Sequence, residues 1–157
     1  MALMLLFGCD GSSPPASHAP FLAASNPPEG SILTVAAGEP RQIEAMLGDD
    51  DVDEPLFVRF LLDYPGASAG PALLLQVQVP PSGRVERPAV RMQPNCQVAT
   101  ATPNPHRLLM SVSDRPFLDA TRGEAVDPKA PLDSVPDGAH RLRVVWLLQT
   151  SCGGTGS

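Results

Sequence analysis

The chain has 157 residues, with 43% hydrophobic content and a net charge of −6 from 17 acidic and 11 basic side chains. That is enough to bury one core, and the acidic balance argues against nucleic acid, whose binding rests on neutralising phosphates. With 19 Pro and 13 Gly the chain is also poor ground for long helices, and no run of about 18 residues is free of charges and breakers, so no transmembrane helix is expected.

The chain opens on a short apolar run, Met1 to Gly8, which ends at Cys9 and gives way abruptly to Asp10-Gly-Ser-Ser-Pro-Pro-Ala-Ser. Leu6-Phe7-Gly8-Cys9 resembles a bacterial lipobox. In that motif a small residue precedes a cysteine that is lipidated and becomes the first mature residue. The resemblance implies a signal segment over 1–8, lipid on Cys9, and a membrane-anchored protein of the bacterial envelope, at either the inner or the outer membrane. Ser13-Pro14-Pro15, Ala19-Pro20 and Asn26-Pro27-Pro28 then predict a Pro/Ser-rich disordered tether over 9–30.

From residue 31 the pattern turns to strands. Ile32 to Ala37 reads as a first strand, stopped by Gly38-Glu39-Pro40. In Arg41 to Gly48, Ile43, Ala45 and Leu47 alternate inward against Gln42 and Glu44. Leu56 to Tyr64 is the central core strand: Leu56, Val58, Phe60, Leu62 and Tyr64 share one face, and Arg59 and Asp63 wet the other. Pro71 to Val79 places Leu73, Leu75, Val77 and Val79 on one face and Gln76 and Gln78 on the other. Pro88 demotes Arg84 to Met92 to an edge strand.

His106 to Asp114 points Leu108, Met110 and Val112 inward. A Pro- and Asp-rich connection from 114 to 139 follows, closed by the turn signal Asp137-Gly138. The last strand, His140 to Thr150, buries Leu142, Val144, Trp146 and Leu148. About seven strands with turns between them predict an all-β, immunoglobulin-like antiparallel sandwich over 31–152, with a disordered Gly-rich tail at 153–157.

Three features carry whatever chemistry the sequence offers. The first is the acidic run Asp49, Asp50, Asp51, Asp53 and Glu54. It supplies oxygens of the kind calcium takes, without EF-hand spacing; its plainer reading is a solvated turn. A calcium-dependent adhesion or carbohydrate-binding module is the alternative function it implies.

The second is Cys96 and Cys152, an even pair once Cys9 is lipidated. In an oxidising compartment they are expected to form a disulfide closing a long loop, worth roughly 4 kcal/mol on chain-entropy grounds. The other readings are two free thiols, or a metal site with His106. The third is the long 114–139 connection, where Phe117 and Leu118 are candidates for binding an envelope protein or a glycan.

His18, His106 and His140 fall in no Gly-x-Ser-x-Gly, His-Glu-x-x-His or phosphate-loop motif, so no catalytic residue is assigned and no enzyme is expected. The segments Arg41-Gln-Ile-Glu-Ala, Leu56 to Tyr64, Leu108 to Phe117 and Pro136-Asp137-Gly138-Ala139-His140, with the Trp-containing final strand and its Cys, resemble a group of uncharacterised lipoproteins of myxobacterial type. The resemblance implies a lipid-anchored sandwich domain acting as a structural or binding module. It supplies no cofactor and no site residues.

Overall fold

The computed structural model describes residues 17–39, 41–64, 72–96, 105–118 and 131–151. Eight strands follow in order: β1 (Phe21–Asn26), β2 (Ile32–Ala36), β3 (Ile43–Gly48), β4 (Leu56–Leu62), β5 (Ala72–Val79), β6 (Val90–Met92), β7 (His106–Ser113) and β8 (Arg141–Ser151). They form two sheets, β1-β3-β6 and β2-β8-β7-β4-β5. In immunoglobulin lettering these are A-B-E and A′-G-F-C-C′, with no D strand among the described residues. The all-β, immunoglobulin-like sandwich expected from the sequence is therefore present. It has eight strands where about seven were expected, and it is not wholly antiparallel, because β2 runs parallel to β8. No helix of the described residues is long and apolar enough to cross a membrane.

The inward faces follow the two-residue period. Ile43, Ala45 and Leu47 of β3, Leu56, Val58 and Phe60 of β4, Leu108, Met110 and Val112 of β7, and Val144, Trp146 and Leu148 of β8 meet in one core. Trp146 lies at its centre, 0% exposed, with its ring stacked on Phe60 at 6.5 Å between centroids. Its indole Nε1 donates to the Pro27 carbonyl at 3.0 Å, so the buried donor is satisfied.

That last bond exposes the first correction. The tether was expected to reach residue 30, yet Phe21–Asn26 is a strand paired antiparallel to β3, and Asn26-Pro27-Pro28 is where the chain passes from one sheet to the other. The prolines do not end order here. They suit an edge-to-edge crossing, where Pro27 needs no backbone N–H and its carbonyl faces the tryptophan. The domain starts ahead of residue 31, and any tether is confined to the residues before Ser17. Cys9, Cys152, the 1–8 segment and the 153–157 tail lie outside the described residues.

Two local irregularities reset the alternation. Asp63 takes φ 53°, and after it Tyr64 packs with Leu61 and Leu109 on the opposite side of the sheet from Leu62, not in the main core as its parity predicted. In β5 the register shifts between Phe60 and Leu61 of its partner, so Leu75 faces Phe60 and Leu73 faces Leu61. The extra residue turns Leu73 away from the core face it was expected to share with Leu75. At Asp137-Gly138 the turn is as expected, with Gly138 in the left-handed region at φ 78°.

Candidate functional site

The outer face of the five-stranded sheet was expected to be partly wet. Instead all seven residues of β4 are buried, Arg59 included at 1% exposed. The cover comes from the two ends of the β7–β8 connection, residues 114–118 and 131–140, which lie against the sheet. Phe117 sits beneath the Arg59 guanidinium, 4.5 Å from ring centroid to Cζ, in a cation–π arrangement. Arg59 Nε donates to Gln76 Oε1 at 2.8 Å, and Nη1 donates to the Leu132 carbonyl at 2.5 Å. One buried cation thus ties β5, β4 and both arms of the connection together. Backbone bonds close the neck, with Leu118 N donating to the Ser134 carbonyl at 2.8 Å.

Next to it, Asp133 is 2% exposed and saturated with donors. The Tyr64 hydroxyl donates to Oδ1 at 2.6 Å. Arg141 Nη1 reaches Oδ2 at 3.1 Å and also the Asp133 carbonyl at 2.7 Å; Arg143 donates from Nε at 2.8 Å and from Nη2. Burial alone would raise the Asp133 pKa, but the hydrogen bonds from Tyr64 and Arg143 and the two positive charges outweigh it and hold the carboxyl below its ordinary range. The Tyr64 hydroxyl is pushed up to about 12, by burial first and then by the carboxylate it donates to. A carboxylate so fully engaged is a rivet for the connection, not a base awaiting a proton.

Tyr64 offers a direct check, because it is the only tyrosine in the chain. In the native protein its ultraviolet titration is expected to have a midpoint near 12, against 10.0 for the unperturbed group. The neutral phenol is favoured in the fold, so this stability is fully present below pH 10 and is lost as the pH rises from 10 toward about 12. A native titration centred on 10 would rule out the Tyr64–Asp133 contact.

The structure also decides the other sequence-predicted sites. Phe117 is 5% exposed and occupied by Arg59, so it anchors the connection and is not a partner-binding residue; Leu118 is half-buried beside it. Among the described residues no group of three or more carboxylate, His or Cys side chains could hold a metal, so the acidic run is not assembled into the calcium site expected of it; Asp49, Asp51 and Glu54 meet protein donors instead.

Asp51 accepts from the His18 backbone N–H at 2.6 Å and meets the His18 ring Nδ1 at 3.1 Å. Asp49 is buried and accepts from the Asp51 N–H at 3.0 Å, and Glu54 pairs with Arg115 at 3.3 Å. Arg87, itself buried, fills the cation's place by donating to the carbonyls of Val52 at 2.9 Å and Asp51 at 2.6 Å. A guanidinium directs several fixed donors to one loop and satisfies backbone oxygens that a metal would need. The bonds from His18 lower the Asp51 pKa, the same contact raises that of His18, and burial raises that of Asp49.

The N-terminal segment enters the domain at this end. The Ser17 hydroxyl lies 2.8 Å from Asp114 Oδ2 and 3.1 Å from Asp51 Oδ2, its one proton serving either carboxylate, and Asp114 Oδ1 accepts from the His140 N–H at 2.9 Å. The entering chain is held between the β3–β4 loop and the base of the β7–β8 connection. His106, expected as a remote metal ligand, is buried with its Nδ1 2.9 Å from Asp63 Oδ2. Asp63 also exchanges bonds with the Arg107 backbone, so this pair fixes the corner after β4 to the start of β7.

At the end opposite the acidic run Cys96 packs against the core. Cys96 lines a cleft with Ala36, and Ala36 is register partner to Ser151, the last residue of β8. Sequence reasoning missed Arg59, Arg87, Asp133, Arg141 and Arg143. Their only signal was charge at strand and loop positions, which ordinarily marks solvent. Compared with known families and curated proteins, the chain matches no family model and no curated protein.

Proposed function

We propose that the chain is a lipid-anchored, non-catalytic binding domain of the bacterial envelope, which presents the β7–β8 connection to an envelope protein or a glycan. The observation that carries this reading is the buried clamp of Arg59 and Asp133. It fastens both arms of a long loop to a rigid sheet, and so lowers the entropy lost when such a loop meets a partner. The lipobox-like Leu6-Phe7-Gly8-Cys9 supports the anchor. From Cys9 to Ser17 the chain spans at most about 28 Å, so the loop end of the sandwich sits close to the bilayer. The position of Cys96 beside Ala36, the register partner of Ser151, supports its bridge to Cys152.

Intact-mass analysis of protein extracted from membranes tests the anchor and the bridge together. The expected species begins at an acylated Cys9 and is lighter than its reduced form by the bridge hydrogens. Cys9→Ser is expected to move the protein out of the membrane fraction. A soluble product that keeps Met1 and three titratable thiols overturns the reading.

A further inference from the structure

We propose that the chain self-associates as a two-fold dimer, with β5 pairing antiparallel to β5 of a second copy and joining the two five-stranded sheets into one. β5 closes its sheet, and among the described residues its ladder runs to β4 alone. Its other edge is a row of backbone donors and acceptors open to a further strand.

Exposed edges are normally shielded by charge, by proline or by brevity. β6 has three residues including Arg91, with Pro88 just ahead of it. β5 has eight residues, Ala-Leu-Leu-Leu-Gln-Val-Gln-Val, with no charge and no proline. Its bulge lies toward the N-terminal half, which leaves Leu75 to Val79 in regular register with β4. In a chain of net charge −6, two copies repel over most of their surface, and this edge brings no carboxylate of its own to the contact.

The pattern is also self-complementary. Antiparallel pairing sets residues of the same face opposite each other, so a two-fold axis must fall on a residue. With the axis at Val77, Leu75 opposes Val79 on the core side. On the outer side Gln76, whose Oε1 already accepts from Arg59, turns its amide N–H donors toward the oxygen of the opposing Gln78. An axis at Gln76 sets Gln78 against the bulge at Leu74, which breaks the match. Leu75 and Val77 are only half-buried in the single chain, on the rim of an apolar cleft of about 280 Å³ shared with Pro80, Pro88 and Val90. That cleft lies where a D strand would close the sandwich, and a second copy covers its rim. A single edge pair buries less than the roughly 1,600 Å² of a standard interface, so the dimer is weak and concentration-dependent.

Sedimentation velocity over a concentration series, on the full chain carrying Cys9→Ser, tests this apart from any lipid. The expected result is a monomer–dimer equilibrium. Gln78→Lys places an extra positive charge on each copy's edge, and is expected to raise the dissociation constant at least about tenfold, with an unchanged melting temperature at concentrations where both chains are monomeric. Val77→Cys is expected to cross-link to itself under mild oxidation, while Val85→Cys, more exposed but off the edge, does not. A chain that stays monomeric, including one that instead captures an extended peptide, overturns the proposal. So does a dimer indifferent to Gln78→Lys that gives no cross-link at position 77.

Discussion

Asp133→Ala is expected to lower the unfolding free energy by about 2–3 kcal/mol, at or just below the lower bound of what breaking a buried ion pair costs. The carboxylate is almost wholly buried and takes bonds from Tyr64, Arg141 and Arg143. Removing it strands a buried phenol and two guanidinium groups. The estimate stays modest because the Arg141 and Arg143 side chains are 31% and 46% exposed and turn to water when released. Asp133→Asn keeps the shape and removes the charge, so it separates electrostatics from packing.

The acid limb of stability follows from the same contact. The folded carboxyl titrates below its unfolded value of 3.8, so its contribution is complete above that pH and is lost as the pH falls through the lower, folded value. Both variants are expected to flatten that limb. Urea melts at several pH values, followed by fluorescence of the single Trp146, provide the measurement. A loss within about 0.5 kcal/mol, the range of ordinary surface changes, would show that Asp133 does not fasten the connection.

Trp146→Ala carries the largest expected effect, about 4 kcal/mol. The side chain is fully buried, stacks on Phe60 and donates to Pro27, so truncation opens a cavity between the sheets and leaves that carbonyl without its donor. Domains of this size hold about 5–15 kcal/mol in all, and the variant is expected to be partly unfolded at ambient temperature. Trp146→Phe keeps most of the ring and is expected to lose about 1–2 kcal/mol, largely through the lost hydrogen bond and the smaller volume. Circular dichroism follows both variants, since the fluorophore is gone. Near-native stability of Trp146→Ala would place the tryptophan outside the core.

Both variants turn on side chains that the sequence presents very differently. Trp146 was legible because it keeps phase with Leu142, Val144 and Leu148, and a two-residue period reports directly which side of a strand is dry. Asp133 was not, because an acidic residue in a Pro-rich connection looks like any solvated turn. Only its neighbours in space, Tyr64 from sixty-nine positions away among them, reveal its burial. The acidic run at 49–54 failed in the opposite sense: its charge suggested a cation, and the cation present is Arg87, more than thirty positions along the chain.

The strand pattern alone settled the all-β class, the inner faces of β3, β7 and β8 and the turn at Gly138, since each follows from local alternation or backbone freedom. Tertiary structure decided that Phe21–Asn26 is a strand, that Tyr64 and Leu73 leave the faces their parity assigned, and that the outer sheet face is covered. A bulge, a left-handed residue or a distant arginine changes what a side chain meets without changing the local pattern. That outcome rests on free energies between parts of the chain that no window of sequence contains.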